Sequence, residues 1–440
     1  MDIFPIGAPG LEFRKARVTT ALIIANGLIY LITSAQNFFI QTGSFWIDKL
    51  ALIPVTLLDY SQWYRIISSM FLHGDIFHIL FNMYFLYLFG KEVESTLGPK
   101  RYLILYFISG LIAESFHIAY TAIVGVHNLF IPALGASGAI SGILGAYLLL
   151  FPHRRMTICW FMWIFPWCFT TNAAYFLVFW FITQIIYGYA TIGGVAFFAH
   201  IGGFICGMAL LGLILPSWIR EERVSISWDI FTGAYTISRR RGLGIFIKLI
   251  LIIALIGLLS SSLYAIYQSK YLRSEIYMFN IRAGYNFRYL VSDTAIYSTN
   301  QGVILSPTQD LPRILINRFE WAGLLRGRPN ASITPLNYKA IVTSTIRGIK
   351  VYVDMTADMI YDSNGVLKYS KGIMKTDIIE ITPTGIFLKK NVSLVFELNS
   401  KGPIKNLGDR LIAPNAAIAA LTTLYALYIV AKKDEDIVID

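Results

Sequence analysis

Charge is in short supply. Only 14% of the 440 residues are Asp, Glu, Lys or Arg, where a soluble domain carries about 25%. With 56% hydrophobic residues and a mean hydropathy of +0.59, that deficit excludes a soluble protein for the chain as a whole. Cysteine is scarce too. Cys159, Cys168 and Cys206 all lie in apolar stretches, which argues against disulfides and predicts free, buried thiols. The stretch "MDIFPIGAPGLEFRKAR" is not expected to be a cleavable signal, because it carries charges and leads into an apolar run too long for one. No hydropathy repeat between halves is visible, which weighs against a transporter.

Long apolar runs are what the chain does have. They suggest spans near 19–40, 73–90, 102–124, 136–151, 173–189, 193–215 and 243–267, with a weaker candidate at 411–431. About 20 apolar residues cross a bilayer as a helix, so a polytopic, all-α membrane protein is expected. The basic clusters fix its orientation. Arg14, Lys15 and Arg17, then Lys91, Lys100 and Arg101, Arg154 and Arg155, Arg220 and Arg223, Arg239 to Arg241, and Lys432 and Lys433 all fall on one side if the N-terminus is cytoplasmic. Topology therefore accounts for the net charge of +11, and no nucleic-acid partner is implied. The run "MTICWFMWIFPWCF" (156–169) is short, contains Pro166 and is crowded with Trp and Phe. Counting it as a span would put the "SRRR" cluster outside, so it is read as an interfacial segment.

The resulting domain plan has a cytoplasmic segment (1–18), a six-span core (19–215), a basic cytoplasmic linker (216–242), a seventh span (243–267) and a β-rich extracytoplasmic domain (268–410). A candidate eighth span (411–431) and a charged tail (432–440) complete it. In 268–410, stretches such as "GIKVYVDM" and "GVLKYS" alternate apolar and polar residues between Gly, Asn and Pro, as short β-strands do. That region has no cysteine, so packing must hold it together. It carries two sequons, at Asn330 and Asn391. Its binding partner is not specified by the sequence.

The chemistry centres on "ALGASGAISGILGAYLLLFP" (133–152). Gly135 and Gly138 flank Ser137; Gly138 and Gly142 stand at i, i+4 with Gly145 nearby, a stripe that lets another helix approach closely. Alone, the stripe reads as packing, with the serine bonded back along its own helix. A serine becomes a nucleophile only beside a base. The span "FFAHIGGFICG" supplies a candidate in His200, with Gly203 and Gly207 forming a matching small face. No carboxylate lies in that span, so a Ser–His dyad is expected. In "FLHGDIFHILFNMYFLYLFG", His78 and Asn82 share one helical face and can donate hydrogen bonds to a developing oxyanion, as can the Ser137 N–H. His73 is assigned to the interface. Glu114 and His117, at i, i+3, could ligate a metal, but no third ligand is suitably spaced, and snorkelling or a loop contact explains them.

Taken together, "GASG", "AHIGG" and "HILFN", with "WYRIISSMFLHG" (63–74) and "GKEVESTLG" (90–98), resemble the rhomboid intramembrane serine proteases over about residues 19–215. The resemblance implies a six-helix core, Ser137 as nucleophile, His200 as general base, and His78 and Asn82 at the oxyanion hole. It places Trp63 and Arg65 in the first outer loop and gives Glu92 a stabilising role at the cytoplasmic end of the second span. Relatives often carry an aromatic residue where this chain has Ser141, so another residue must orient His200. The activity implied is hydrolysis of a peptide bond in or near a transmembrane helix of another protein, through an acyl-enzyme and without cofactor or metal. The alternative is a non-catalytic rhomboid-like binder of membrane clients; loss of the serine or histidine would mark it, and both are present. A prokaryotic plasma membrane is the expected location, with the site opening away from the cytoplasm.

Overall fold

The computed structural model describes residues 3–6, 16–162, 165–191, 195–215, 224–229, 234–239, 242–271, 276–285, 288–299, 302–305, 307, 310–343, 350–382, 385–404, 407–432 and 437. The chain forms two compact units, Met1–Tyr271 with Gly408–Asp440, and Leu272–Leu407. The helices are α1 (Arg17–Ser34), α2 (Ser44–Leu50), α3 (Arg65–Ser68), α4 (Ile76–Leu97), α5 (Pro99–Val124), α6 (Ser137–Leu150), α7 (Ala173–Ala190), α8 (Phe197–Ile214), α9 (Ile245–Ser269), α10 (Asp310–Trp321) and α11 (Ala413–Lys432).

Among the described residues of the first unit, six helical segments are long and apolar enough to cross a membrane: Arg17–Asn37, Pro99–Val124, Ala173–Ala190, Phe197–Ile214, Ile245–Ser269 and Gly408–Lys432. The chain is a multi-pass membrane protein. Local signals set the boundaries nearest the site. The Asp75 carboxylate accepts the His78 N–H at 2.9 Å and starts α4. Gly98, at φ +79°, ends it, and Pro99 begins α5 where a missing N–H is harmless. Between them, α4 and α5 form a hairpin.

Helix α6 is only 14 residues long, about 21 Å at 1.5 Å per residue. Every residue from Ala139 to Leu150 is buried. It packs against α4, α5 and α8, which explains why it is apolar all round. Its seam with α8 runs backbone to backbone: a methyl group at Gly203 would collide with the Gly138 carbonyl oxygen, and one at Gly207 with that of Gly142. Helix α11 joins the bundle against α5, α8 and α9, with Ile429 and Tyr425 lying over Gly212.

Strands β1 (Ile3–Ile6), β2 (Arg155–Met162) and β3 (Phe165–Asn172) form an antiparallel sheet in the order β1-β2-β3. The aromatic run after α6 is therefore a hairpin. This corrects the cysteine expectation: Cys159 and Cys168 are direct cross-strand partners and form a disulfide, while Cys206 remains a buried free thiol. Reading the run only as an interfacial segment gives no reason to bring two thiols nine residues apart face to face. Within the basic linker, β4 (Val224–Asp229) and β5 (Ala234–Arg239) pair as a second hairpin.

The second unit is one antiparallel sheet of seven strands with a helix. Its strands are β6 (Ile276–Tyr285), β7 (Arg288–Ser298), β8 (Gly302–Leu305), β9 (Ser332–Thr343), β10 (Lys350–Tyr361), β11 (Leu367–Thr382) and β12 (Gly385–Lys401), in the order β8-β7-β6-β12-β11-β10-β9. Most are longer than the short strands expected, because few breakers interrupt the alternation. In β10, Val351, Val353, Met355, Ala357, Met359 and Tyr361 are all buried on one face. Leu315, Ile316 and Phe319 of α10 join this core. Arg318 is buried beside them, donating to Thr376 Oγ1 at 3.0 Å and to the Asp377 carbonyl at 2.8 Å. Of the sequons, Asn330 sits exposed in a turn at φ +56°, and Asn391 falls within β12.

Candidate functional site

Ser137 is the first residue of α6, and His200 lies in the first turn of α8. The glycine seam draws the two helices together at that end, and Ser137 Oγ stands 2.8 Å from His200 Nε2. This is the separation that proton transfer from a hydroxyl to an imidazole requires.

On its other side, His200 Nδ1 is 2.9 Å from Gln184 Oε1. The Thr183 hydroxyl donates to the Trp180 carbonyl at 2.6 Å and accepts from Gln184 Nε2 at 3.5 Å. That assigns the amide nitrogen to Thr183 and its oxygen to the imidazole. Nδ1 thus carries the ring proton, and the Nε2 lone pair faces the serine. Trp180 stacks on the same ring, centroids 6.2 Å apart. Gln184 and Trp180, both from α7, are the orienting residues that the sequence left unnamed. Ser141 does not take part; its hydroxyl bonds back to the Ser137 carbonyl at 2.7 Å. A signal for Gln184 was present, since a buried amide in an apolar span calls for a partner.

His78 and Asn82 come from one face of α4 and converge on Gly135. A Cβ there would lie 2.6 Å from His78 Nε2 and 3.7 Å from Asn82 Nδ2, and the φ of +121° already disfavours any side chain. The Gly74 N–H donates to His78 Nδ1 at 3.4 Å, which leaves Nε2 to act as the ring's donor. Asn82 Nδ2 is buried without a hydrogen-bond partner. Such an unpaired donor is costly unless something arrives to accept it. The N–H groups in the first turn of α6 have no intrahelical acceptor either. His78, Asn82, Ser137 and His200 border one cavity of about 660 Å³, walled also by Phe77 and Phe81.

Two expectations need correction. His73 is not interfacial: it is fully buried, its Nε2 accepts the Ala136 N–H at 3.4 Å, and its ring meets that of His78 edge-on. It holds the backbone just before Ser137, a contact across 63 residues that sequence cannot display. Nor do Glu114 and His117 snorkel. Glu114 Oε2 and His117 Nε2 are both buried without a hydrogen-bond partner, and His117 lines the site cavity. Among the described residues, no group of three His, Cys, Asp or Glu side chains could hold a metal.

The remaining residues frame the site. Trp63 is half exposed and donates to the Leu57 carbonyl at 3.0 Å. Arg65 is buried, bonded to the Ala51 carbonyl at 2.9 Å and to Gln62 Oε1 at 2.7 Å, so it clamps the loop preceding α4. At the opposite end of α4, Glu92 Oε2 accepts the Tyr147 hydroxyl at 2.8 Å, with Arg154 Nε 3.7 Å away. That buried cluster ties α4 to α6 below the dyad.

Residues 60–217 match the family model of the Rhomboid domain. The chain is 31% identical over 167 residues to Rhomboid protein 1, mitochondrial, of Saccharomyces cerevisiae, covering 36% of this chain and 43% of that protein. It is 29% identical over 218 residues to Rhomboid protease GluP of Bacillus subtilis, covering 46% and 39%. Over 97 residues it is 35% identical to Putative rhomboid protease YdcA of the same bacterium, covering 22% and 46%. These matches span about half or less of each relative. The matched segment begins just before the Trp63–Arg65 loop, contains every residue of the site, and ends beyond α8, and on these grounds the chain belongs to the rhomboid family.

Proposed function

We propose that the protein is an intramembrane serine endopeptidase that cleaves membrane proteins in or near a transmembrane helix. The observation that carries this reading is the Ser137 Oγ–His200 Nε2 contact of 2.8 Å, with Gln184 holding the far side of the ring. His200 takes the serine proton as Oγ attacks the scissile carbonyl. The developing oxyanion is met by Asn82 Nδ2, His78 Nε2 and the Ser137 N–H. His200 then passes its proton to the leaving amine, and in the second half-reaction activates water against the acyl-enzyme. Glutamine in place of a carboxylate can fix the tautomer but brings no negative charge to the imidazolium, so the base is weaker than in a triad. The distribution of basic residues supports a cytoplasmic N-terminus, a site that opens to the other side, and an extracytoplasmic second unit. Relatives from a mitochondrion and from a bacterium both match, and the asymmetry of charge supports orientation rather than a particular organelle.

The test is cleavage of single-span substrates by purified protein, in detergent and in lipid, alongside Ser137→Ala and His200→Ala. Cleavage by the wild type alone is expected. Cleavage that survives Ser137→Ala refutes the assigned nucleophile, and none by any form across several substrates refutes the protease reading.

A further inference from the structure

Helix α5 carries two buried polar groups that the chemistry above does not use, and one of them, His117, borders the site. Glu114 Oε2 and His117 Nε2, three residues apart on one face, are buried and without hydrogen-bond partners. Each such atom destabilises the resting protein, typically by about 1–3 kcal/mol; a site that takes a polar ligand commonly carries this burden. His117 lines both the site cavity and a second cavity of about 200 Å³ behind it, where Thr121, Asn128 and Thr191 add polar edges to an otherwise apolar wall. The two cavities share His117, Asn128, Ile131, Val195 and Ala196. Ala196 is one helical turn before His200, whose N–H it accepts at 3.3 Å. The second cavity therefore opens about 5 Å along the helix axis from the catalytic base, within reach of a side chain attached next to the reacting carbonyl.

We propose that this second cavity is a substrate subsite, and that His117 makes it select a polar side chain with both donor and acceptor groups, a carboxamide or hydroxyl, beside the scissile bond. The inference rests on the protease reading. An apolar side chain of equal size fills the space but expels whatever solvated His117 and leaves its nitrogen unpaired. A glutamine or threonine re-pairs it. Sites that hydrogen-bond their substrate discriminate against the analogue that cannot reply more strongly than apolar pockets discriminate by size.

The experiment uses the full chain and single-span substrates that differ only at the two residues flanking the cleaved bond, comparing Gln with Met and Thr with Val at each. The wild type is expected to show a kcat/KM about tenfold higher for the polar member at one of the two positions. His117→Leu is expected to cleave the Met and Val substrates at the wild-type rate or better and to bring the ratio within about twofold of one. If His117→Leu does not fold, His117→Gln, which keeps a hydrogen-bonding group, is expected to retain part of the preference. A wild-type ratio near one at both positions, or a preference unchanged in His117→Leu, overturns the subsite and leaves the protease reading intact. No cleavage of any substrate by the wild type overturns the protease reading and the subsite with it.

Discussion

Gly203→Ala tests whether backbone contact between α6 and α8 is what makes the dyad. The added methyl group would collide with the Gly138 carbonyl oxygen, and it would also stand 3.2 Å from the Ser141 Cβ. A carbonyl oxygen cannot rotate away as a side chain can, so the helices must part by roughly 1 Å to restore ordinary contact. The Ser137–His200 hydrogen bond crosses the same seam at 2.8 Å. Opening the seam by that amount takes it past the 3.5 Å at which a hydrogen bond is lost. Misplacing a reacting group by about 1 Å costs on the order of 10²-fold in rate, and overpacking costs about 1–3 kcal/mol of stability. Gly203→Ala should therefore lose roughly 10²-fold in kcat while its thermal midpoint falls.

The control is Gly257→Ala in α9, where an added methyl meets nothing within 4 Å. There alanine's better helix propensity should leave stability level or raise it by up to about 1 kcal/mol, with activity unchanged. Both variants are assayed by cleavage of a single-span reporter and by thermal unfolding in the same detergent. Wild-type activity and midpoint in Gly203→Ala would show that the seam tolerates a side chain, and that something other than close backbone approach brings Ser137 to His200.

Gln184→Leu removes the acceptor on His200 Nδ1 while keeping volume in a buried position. Kcat should fall about ten- to a hundredfold with KM little changed, and Gln184→Glu should recover activity by restoring an acceptor; an unchanged kcat would mean that Trp180 alone orients the ring. In the second unit, burial pushes the Arg318 guanidinium down to about 10, with Asp377 opposing, so it remains charged at neutral pH. Arg318→Met strips Thr376 and the Asp377 carbonyl of their donor and should cost about 3 kcal/mol, read as roughly 10²-fold faster amide exchange in β10 and β11 of the full-length protein; unchanged exchange would show the cluster to be energetically neutral.

The parts of this molecule that sequence displays are those carried by short-range pattern. Ser137, His200, His78 and Asn82 stand out because a polar side chain in a long apolar helix is expensive, and matched glycine faces on two such helices imply contact. Gln184 obeys the same rule, but no glycine face marks α7 as a partner of α8 in the sequence. His73 cannot be placed by pattern: three residues before α4, it looks like any interfacial histidine until the chain returns at Ala136. The cysteines misled for a related reason. A run dense in Trp, Phe and Met has no strict alternation, so nothing in it announces the β2–β3 pairing that sets Cys159 opposite Cys168. In the second unit, alternation made the strands legible, whereas their order, with β12 inserted between β6 and β11, is settled by which edges meet.

The helices outside the matched segment are not passive additions to the core. Tyr120 of α5 donates to the Leu258 carbonyl of α9 at 2.9 Å and lies 3.3 Å from the Ser262 hydroxyl, and Tyr189 of α7 donates to Ser261 at 2.6 Å. Both tyrosines also pack on Phe198, with ring centroids 4.2 and 5.2 Å away, and Phe198 is two residues from His200. Helix α9 thus holds α5 and α7 at the end where α8 presents the imidazole, and α7 carries Gln184, the acceptor on its far side. Below the Tyr189–Ser261 bond the two helices diverge around an apolar groove lined by Ile182, Ile185, Ile250 and Ile253, so the polar contact rather than continuous packing joins them there. The Tyr120 bond is buried in this apolar bundle and holds geometry more strictly than dispersion contacts do. The orientation of the His200 ring therefore depends on a helix that lies wholly outside residues 60–217.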